Sequence, residues 1–317
     1  MSQESMISYS ASFEDVMLYR ALKHVQNGFY VDVGASNPLI DSNTAAFYKK
    51  DWRGICIEPL PEITVDWALW RPEDLLISAL VGSQQGEATL YVYDDVSQIS
   101  TCSVETMERW SQHKKLHDKE IVVPVVTLNQ VMEEFLNERI IHLLCIDVEG
   151  SEKNVLDGFD LKKYCPWIIV VEAVLPGTQI PGYEHWEGDV LNAGYTMVYE
   201  DGFNRFYLST KKVELKKHFM YPPNAWDKII PYKQSLAEES VVMLERENEG
   251  LKAQVQVLQK MLAGQVNLPD NFWDFVPHIE DVGSQKRIAM LEEDNEKLKR
   301  HIKGLQQEAA LHKFLNQ

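Results

Sequence analysis

Seven short apolar runs lie within the first 210 residues, and they limit the possible folds of the chain most strongly. Most of them are apolar at every position, which is typical of parallel strands covered on both faces. Amphipathic stretches separate several runs, as at residues 128–137 and 151–156. This alternation predicts a doubly wound α/β sheet of seven strands. The runs are residues 29–33, 54–58, 75–78, 143–147, 167–172, 195–199 and 205–208.

The last two runs are separated only by a short segment that contains Asp201 and Gly202. An Asp-Gly pair is typical of a β-hairpin turn, because both residues tolerate the left-handed backbone that such turns require. We therefore expect the final strand to be antiparallel in an otherwise mainly parallel sheet.

Charge and composition exclude several classes of protein. The formal net charge of −17 argues against a nucleic-acid substrate, because nothing offsets the repulsion of the phosphates. No apolar run reaches the roughly 18 residues of a membrane span, and the N-terminal residues lack the apolar segment of a signal peptide. The four cysteines have no CxxC spacing. We expect free thiols and a cytoplasmic location.

Heptad repeats replace the strand pattern from about residue 236 onward. Valine or isoleucine at one core position and leucine at the other favour two parallel strands, and the single asparagine in each block, Asn248 or Asn295, fixes the register. We predict coiled-coil segments at residues 236–262 and 285–317, a linker at 263–284, and a homo-oligomer, a parallel dimer, formed through them. The alternative is a pair of amphipathic helices packed on the globular domain.

The stretch at residues 28–38 is the first candidate for chemistry. It contains Asp32 in the strand and Gly34 in a turn that allows close approach of the backbone to a ligand. Glu58 ends the next strand, where an acid can accept hydrogen bonds from both hydroxyls of a ribose. The turn lacks the GxGxxG spacing of dinucleotide enzymes, which favours S-adenosylmethionine over a nicotinamide dinucleotide. The alternative role for an acid after a strand is a helix cap.

Further short motifs are spread over both halves of the chain. They are Ser42-Asn43-Thr44, Phe47-Tyr48, residues 52–59, Arg71-Pro72, Ser100-Thr101, Val126-Thr127-Leu128, residues 146–150 and residues 155–158. Together with residues 28–38 they resemble FkbM-type methyltransferases, over about residues 8–210. The resemblance implies a class I, Rossmann-like methyltransferase fold, S-adenosylmethionine as cofactor, and O-methylation, commonly of sugar or polyketide hydroxyls.

The resemblance also assigns cofactor roles to particular residues. Those expected around the methionine part are Asp32, Gly34, Ala35 and Ser36. Glu58 is expected to hold the ribose. Ser78 and Ala79, at the end of the third strand, are expected to flank the adenine.

Acids also end two later strands. Asp147 and Glu149 follow one buried run, and Glu172 ends the next. Because open α/β sheets bind ligands at this edge, Asp147 is the first candidate for the base that takes the acceptor's proton, or for a group that orients the acceptor, followed by Glu149 and Glu172. His185 is a further catalytic candidate, with a surface or helix-cap role as the alternative.

Two alternatives concern the same edge of the sheet. One is a Mg²⁺ ion held by Asp147 and Glu172, with Glu149, since oxygen-rich sets of side chains bind this cation. The other is an aromatic surface for a sugar ring, for which a core role is the competing interpretation. The aromatic candidates are Tyr183, Trp186, Tyr199 and Phe203.

We therefore predict a methyltransferase domain at residues 1–235 that methylates a sugar hydroxyl of a bacterial surface polysaccharide or its precursor. One alternative is an O-methyltransferase of a small secondary metabolite. Another is a noncatalytic coiled-coil scaffold with a degenerate methyltransferase fold. The presence of Asp32, Gly34, Glu58 and Asp147 argues against the scaffold.

Overall fold

The computed structural model describes residues 5–93, 100–113 and 119–262. Two sheets contain most of the strands in this part of the chain. The strands are β1 (Met6–Ser8), β2 (Phe29–Val33), β3 (Arg53–Ile57), β4 (Leu75–Ile77), β5 (Leu80–Val81), β6 (Gly86–Val92), β7 (Ser100–Thr101), β8 (Lys119–Val126), β9 (Leu143–Ile146), β10 (Ile168–Glu172), β11 (Tyr195–Glu200), β12 (Asn204–Ser209) and β13 (Ile229–Pro231).

The larger sheet has seven strands in the order β11-β12-β10-β9-β2-β3-β4. Strands β10, β9, β2, β3 and β4 are parallel to their neighbours in this series, whereas β12 is antiparallel to both β10 and β11. In the turn between β11 and β12, the Asp201 carboxylate accepts the N–H groups of Phe203 and Asn204 at 2.8 and 2.6 Å. The predicted α/β fold with a large sheet is confirmed, and that sheet is mixed.

The central strands are buried on both faces, which explains their continuous apolar sequence. All five residues of β2 are buried, and its side chains alternate between two apolar layers. Val31 and Val33 join one layer, and Tyr30 joins the other. Full burial of one large aliphatic side chain contributes about 1.5–3 kcal/mol, so these two layers are the main source of stability for the sheet.

Helices cover both of these layers. Helices α1 and α2, α3 and the 3-10 helix Thr210–Phe219 supply apolar side chains to the Tyr30 layer, and α5 to α8 supply the opposite one. The predicted amphipathic stretches correspond to α5 and α6. The helices are α1 (Glu14–Leu22), α2 (Ala45–Tyr48), α3 (Thr64–Trp70), α4 (Val104–His113), α5 (Leu128–Phe135), α6 (Glu152–Asp157), α7 (Leu161–Tyr164), α8 (Glu187–Asn192) and α9 (Tyr232–Leu262).

A second sheet, with the order β5-β8-β6-β7, is not anticipated by the sequence patterns. Its long strands β6 and β8 pair antiparallel, around a small core that includes Leu90 and Val123. Strand β8 contains an apolar run at residues 121–126, which Pro124 interrupts. Proline weakens the prediction of a strand, because it has no N–H group to donate to a neighbouring strand.

The chain divides into two compact units, Met1–Ile229 and Ile230–Gln317. In the second unit α9 is one continuous helix, and the first heptad block, residues 236–262, lies within it. The linker at 263–284 and the second block at 285–317 lie outside the described residues. Of the helices described, none is both long and apolar enough to cross a membrane.

Candidate functional site

A cleft of about 260 Å³ opens at the edge of the large sheet where β2, β3 and β9 end. The smaller sheet contributes to its wall through β5, β6 and β7. In open α/β sheets this edge is the usual place for a ligand. The lining consists of Asp32, Val33, Gly34, Ala35, Ser36, Ile40, Asp41, Ser42, Asn43, Ile57, Glu58, Pro59, Ala79, Leu80, Val81, Leu90, Ser100, Thr101, Cys102, Asp147, Val148 and Glu149.

The turn after β2 depends on Gly34. Its φ is 79°, and a Cβ at this position would lie 1.6 Å from the carbonyl oxygen of Asp147. The N–H groups of Gly34 and Ala35 both donate to the carbonyl of Ile57, at 2.9 and 3.2 Å. Only glycine combines this backbone conformation with so close an approach, so Gly34 holds the ends of three strands together at the wall of the cleft.

Glu58 lies at the end of β3 and is 5% exposed. One carboxylate oxygen accepts the N–H of Leu60 at 2.9 Å, and the other accepts the N–H of Ser36 at 3.0 Å. Burial raises the pKa of Glu58 to about 7, against the opposing effect of these two hydrogen bonds. Each oxygen retains a second lone pair with which it can accept a ligand hydroxyl.

A buried polar network holds Asp32 in β2. Its carboxylate accepts the Thr44 hydroxyl at 2.5 Å. The Arg71 guanidinium donates to the Thr44 hydroxyl at 2.9 Å and to the Tyr30 hydroxyl at 3.0 Å, and it pairs with Asp74 at 2.8 Å. Burial raises the pKa of Asp32, although Thr44 and Arg71 oppose that rise. The network thus fixes this carboxylate without leaving an unpaired buried charge.

Asp147 and Glu172 form a pair of neighbouring acids at the ends of β9 and β10. The Asp147 side chain is exposed within the cleft, yet protein atoms surround it and remove it from bulk water. This desolvation, with the charges of Glu152 and Asp32, raises the pKa of Asp147 to about 7. Burial and the charge of Asp147 raise the pKa of Glu172 well above its ordinary value. Within the described part of the chain, Glu172 Oε2 is buried and has no hydrogen-bond partner.

The cleft brings together eight of the residues predicted for the site. Three others are not among its lining residues: Ser78 is exposed just beyond the end of β4, His185 is exposed in the 3-10 helix Tyr183–His185, and Glu172 ends β10 beside Asp147. The eight that line the cleft are Asp32, Gly34, Ala35, Ser36, Glu58, Ala79, Asp147 and Glu149.

The structure gives no support to the metal alternative. Among the described residues, no group of three or more His, Cys, Asp and Glu side chains is placed to hold a metal ion. Asp147 and Glu172 are neighbours, but Glu149 does not complete a ligand set with them.

The four aromatic candidates are absent from the lining of the cleft. Trp186 is 2% exposed and packs edge-on against Tyr207 with ring centroids 5.8 Å apart. The Tyr183 ring lies under the Arg205 guanidinium at 3.2 Å, and Tyr199 packs against a buried phenylalanine. Trp186 has the core role that was the competing interpretation.

Three residues of the site have no role in the sequence analysis: Thr44, Arg71 and Glu152. Glu152 begins α6, and one of its carboxylate oxygens accepts the N–H of Gly150 at 2.9 Å, which orders the turn after β9. Thr44 and Arg71 do lie in two of the motifs that resemble FkbM-type methyltransferases. The sequence does not reveal that these two residues are buried and bonded to each other, because they come from segments that meet only in the folded chain.

Comparison with known families tests the resemblance. Residues 32–197, just over half of the chain, match the profile of the methyltransferase FkbM domain. The chain belongs to the FkbM methyltransferase family. The matched range of this FkbM methyltransferase contains Gly34, Glu58 and Asp147, so the family domain and the cleft coincide. A comparison with curated proteins gives no match.

Proposed function

We propose that this FkbM methyltransferase transfers a methyl group from S-adenosylmethionine to a sugar hydroxyl of a bacterial surface polysaccharide or its precursor. The observation that carries the proposal is the convergence of the Gly34 turn, Glu58 and Asp147 on one cleft. A turn that approaches the ligand closely, an acid for the ribose and an acid for the acceptor are parts that this reaction requires.

The residues of the cleft fit S-adenosylmethionine. Gly34 lets the turn after β2 pack against the end of β9 at the wall of the cleft, and Glu58 has lone pairs for the ribose hydroxyls. Ala79 and Leu80 offer an apolar surface to the adenine. When bound, the cofactor supplies an electrophilic methyl group.

Asp147 is the proposed acceptor of the hydroxyl proton. Its side chain opens into the cleft, and its pKa of about 7 leaves a large ionised fraction at neutral pH. A general base is most effective when its pKa is near the working pH, and it contributes about 10²–10⁴-fold to the rate. Burial and the charge of Asp147 also raise the pKa of Glu172, and the two neighbouring carboxyl groups titrate as a coupled pair.

Polar side chains in the cleft support a sugar as the acceptor. They offer hydrogen-bond donors and acceptors to several hydroxyl groups at once, whereas an apolar metabolite calls for a mainly apolar pocket. These side chains are Asp41, Asn43, Ser100 and Glu149.

We also propose that two copies associate through α9 in parallel. The heptad pattern of residues 236–262 supports this proposal, because it places Asn248 at one of the core positions. In a parallel, in-register dimer the Asn248 amides of the two copies lie opposite each other and can form a hydrogen bond.

The state of the cysteines supports a cytoplasmic location. Cys56, Cys102, Cys145 and Cys165 are all free thiols, and Cys56 and Cys145 are buried. Free thiols are the usual state in a reducing compartment.

Calorimetric titration with S-adenosylmethionine and its demethylated product tests the cofactor. Mass spectrometry of candidate glycans, incubated with the enzyme and a methyl-labelled donor, tests the acceptor. We expect saturable binding and the gain of one labelled methyl group on a sugar hydroxyl. The absence of cofactor binding would contradict the proposed chemistry and favour a scaffold, and methylation of small metabolites alone would contradict the sugar acceptor.

A further inference from the structure

Residues 210–228 carry a positive charge that contrasts with the rest of the molecule. They contain five lysines and two acids, whereas the whole chain has a formal charge of −17. One of the two acids, Asp227, is paired with Arg20 of α1, which leaves Glu214 as the acid of the segment that is not neutralised in this way.

The fold adds the end of α1 to this segment. Partial burial lowers the pKa of His218, and its nearness to Lys217 and Lys23 lowers that pKa further. The ammonium groups of Lys23, Lys216 and Lys217 are exposed. Lysines clustered in this way produce a local positive potential.

Three large apolar side chains project beside these cations. Met220, Tyr221 and Trp226 are 65%, 67% and 86% exposed. The loop that carries them is ordered: the Arg20 guanidinium donates to the carbonyl of Tyr221 at 2.7 Å and holds Asp227 in an ion pair. The ordered loop therefore holds the side chains of Met220, Tyr221 and Trp226 in solvent, although exposed apolar area is energetically unfavourable.

We propose that this surface docks on an anionic lipid membrane. We name it the basic aromatic face. It consists of Lys23, His24, Lys216, Lys217, His218, Met220, Tyr221 and Trp226.

The residues of the basic aromatic face match both the charged headgroups of a membrane and the less polar interface beneath them. Lysines are attracted to anionic headgroups, and tryptophan and tyrosine prefer the interface because each joins an apolar ring to a polar group. A nucleic acid also combines phosphates with surfaces for stacking, but a protein with a charge of −17 repels an extended polyanion. A lipid surface, which the protein touches on one side only, is the better match.

The position of the face is compatible with catalysis. Lys23 and His24 lie in the segment between α1 and the start of β2. Thr210 follows β12 at the end where β10 and β11 begin, since Ser209 pairs with Tyr195. The cleft lies at the other end of the strands, where β2 and β9 finish. A membrane bound at the basic aromatic face therefore leaves the cleft open to its ligands.

Sedimentation of the full-length protein with vesicles tests the proposal. At physiological salt the protein should sediment with vesicles of phosphatidylcholine that contain about 30% phosphatidylglycerol. It should stay in the supernatant with vesicles of pure phosphatidylcholine, because the attraction is electrostatic. Lys216→Ala with Lys217→Ala should lower the partition coefficient by roughly 30-fold, and Trp226→Ala by about tenfold. Lys216→Arg with Lys217→Arg preserves the charge and should bind like the wild type.

Trp70→Ala is the matched control for Trp226, because Trp70 is an exposed tryptophan on α3, outside the face. It should leave binding unchanged, and all variants should keep the wild-type thermal unfolding midpoint and cofactor affinity. The proposal is overturned by equal binding to neutral vesicles, by binding that is insensitive to the lysine and Trp226 variants, or by no binding at all. A Trp226-dependent affinity for a single-stranded oligonucleotide, or a Trp226-dependent oligomer in light scattering without lipid, would assign the face to another partner.

Discussion

At the scale of single residues, burial and the repulsion between neighbouring carboxylates raise the pKa values of the acids in the cleft. Glu58 and Asp147 both have a pKa of about 7, and the pKa of Asp32 is raised as well. Small changes in local charge therefore decide which of these acids is ionised at neutral pH. For this reason the pH dependence of binding and of turnover distinguishes their roles.

Glu58 should control the pH dependence of cofactor affinity. In the proposed complex its ionised form accepts both ribose hydroxyls. As the pH falls through about 7, the carboxyl group gains a proton and loses acceptor capacity. Titration calorimetry should show a dissociation constant that increases by up to about tenfold for each pH unit below that point. Glu58→Gln should flatten this dependence, and Glu58→Ala should cost roughly 1.5–3 kcal/mol of binding at higher pH.

Asp66→Asn is the control for Glu58, because Asp66 is an exposed acid on the following helix α3. It should bind like the wild type. An unchanged dissociation constant in a folded Glu58→Ala protein would remove Glu58 from the cofactor site.

Asp147 should control turnover. Asp147→Asn is expected to keep cofactor affinity and to lower kcat by about 10²–10⁴-fold, and the wild-type rate should increase as the pH rises through about 7. Glu172→Gln should lose less than tenfold, because burial favours the neutral form of Glu172 and glutamine resembles a protonated carboxyl group. Steady-state kinetics of both variants measures these changes.

Wild-type turnover by Asp147→Asn would contradict its role as a base. If a chelator abolishes the activity of the wild-type protein and Mg²⁺ restores it, Asp147 is reassigned as a metal ligand.

At the scale of secondary-structure elements, one buried arginine joins several segments behind the cofactor side of the cleft. Besides Thr44 and Tyr30, Arg71 donates to the carbonyl of Pro38 at 3.2 Å and to the hydroxyl of Ser42 at 3.2 Å. It links β2, the start of α2 and the loop that lines the cleft. A strand, a helix and a loop therefore all form hydrogen bonds with the same guanidinium group, and its removal affects all three.

Arg71→Met should destabilise the protein by about 3–5 kcal/mol, because it leaves Asp74 buried without its cation. Urea unfolding followed by circular dichroism measures this change. Asp74→Asn added to Arg71→Met should recover a large part of the loss by removing the uncompensated charge. Lys49→Ala, at an exposed position, should cost little. A loss below about 1 kcal/mol in Arg71→Met would mean that the network does not hold these segments together.

At the scale of the whole molecule, the chain joins a compact α/β unit to a long helix. The helix α9 has 31 residues, far more than an average globular helix of about 11–12. Such a helix gains most of its stability from burying an apolar stripe against a partner. Association of two copies is the arrangement that we propose for it.

Light scattering on the full chain and on a version that ends near residue 235 tests this association. We expect a dimer and a monomer, respectively, with the cofactor affinity unchanged. Asn248→Val should raise the melting temperature while broadening the distribution of oligomers, because a buried asparagine costs stability and specifies register. A monomeric full chain, or a truncated form that keeps the oligomeric mass, would refute the dimer.

The larger sheet and most of the cleft could be predicted from the amino-acid sequence. Continuous apolar runs are recognisable because burial on both faces leaves no polar position, and Gly34, Glu58 and Asp147 stand where each run ends. Other features depend on the tertiary structure. The smaller sheet, in which Pro124 interrupts the apolar run of β8, is recognised only once its neighbouring strands are in place. Likewise, Arg71 and Thr44 acquire a role, and Ser78 and His185 fall outside the cleft, because side-chain contacts between distant segments depend on how the strands are brought together in space.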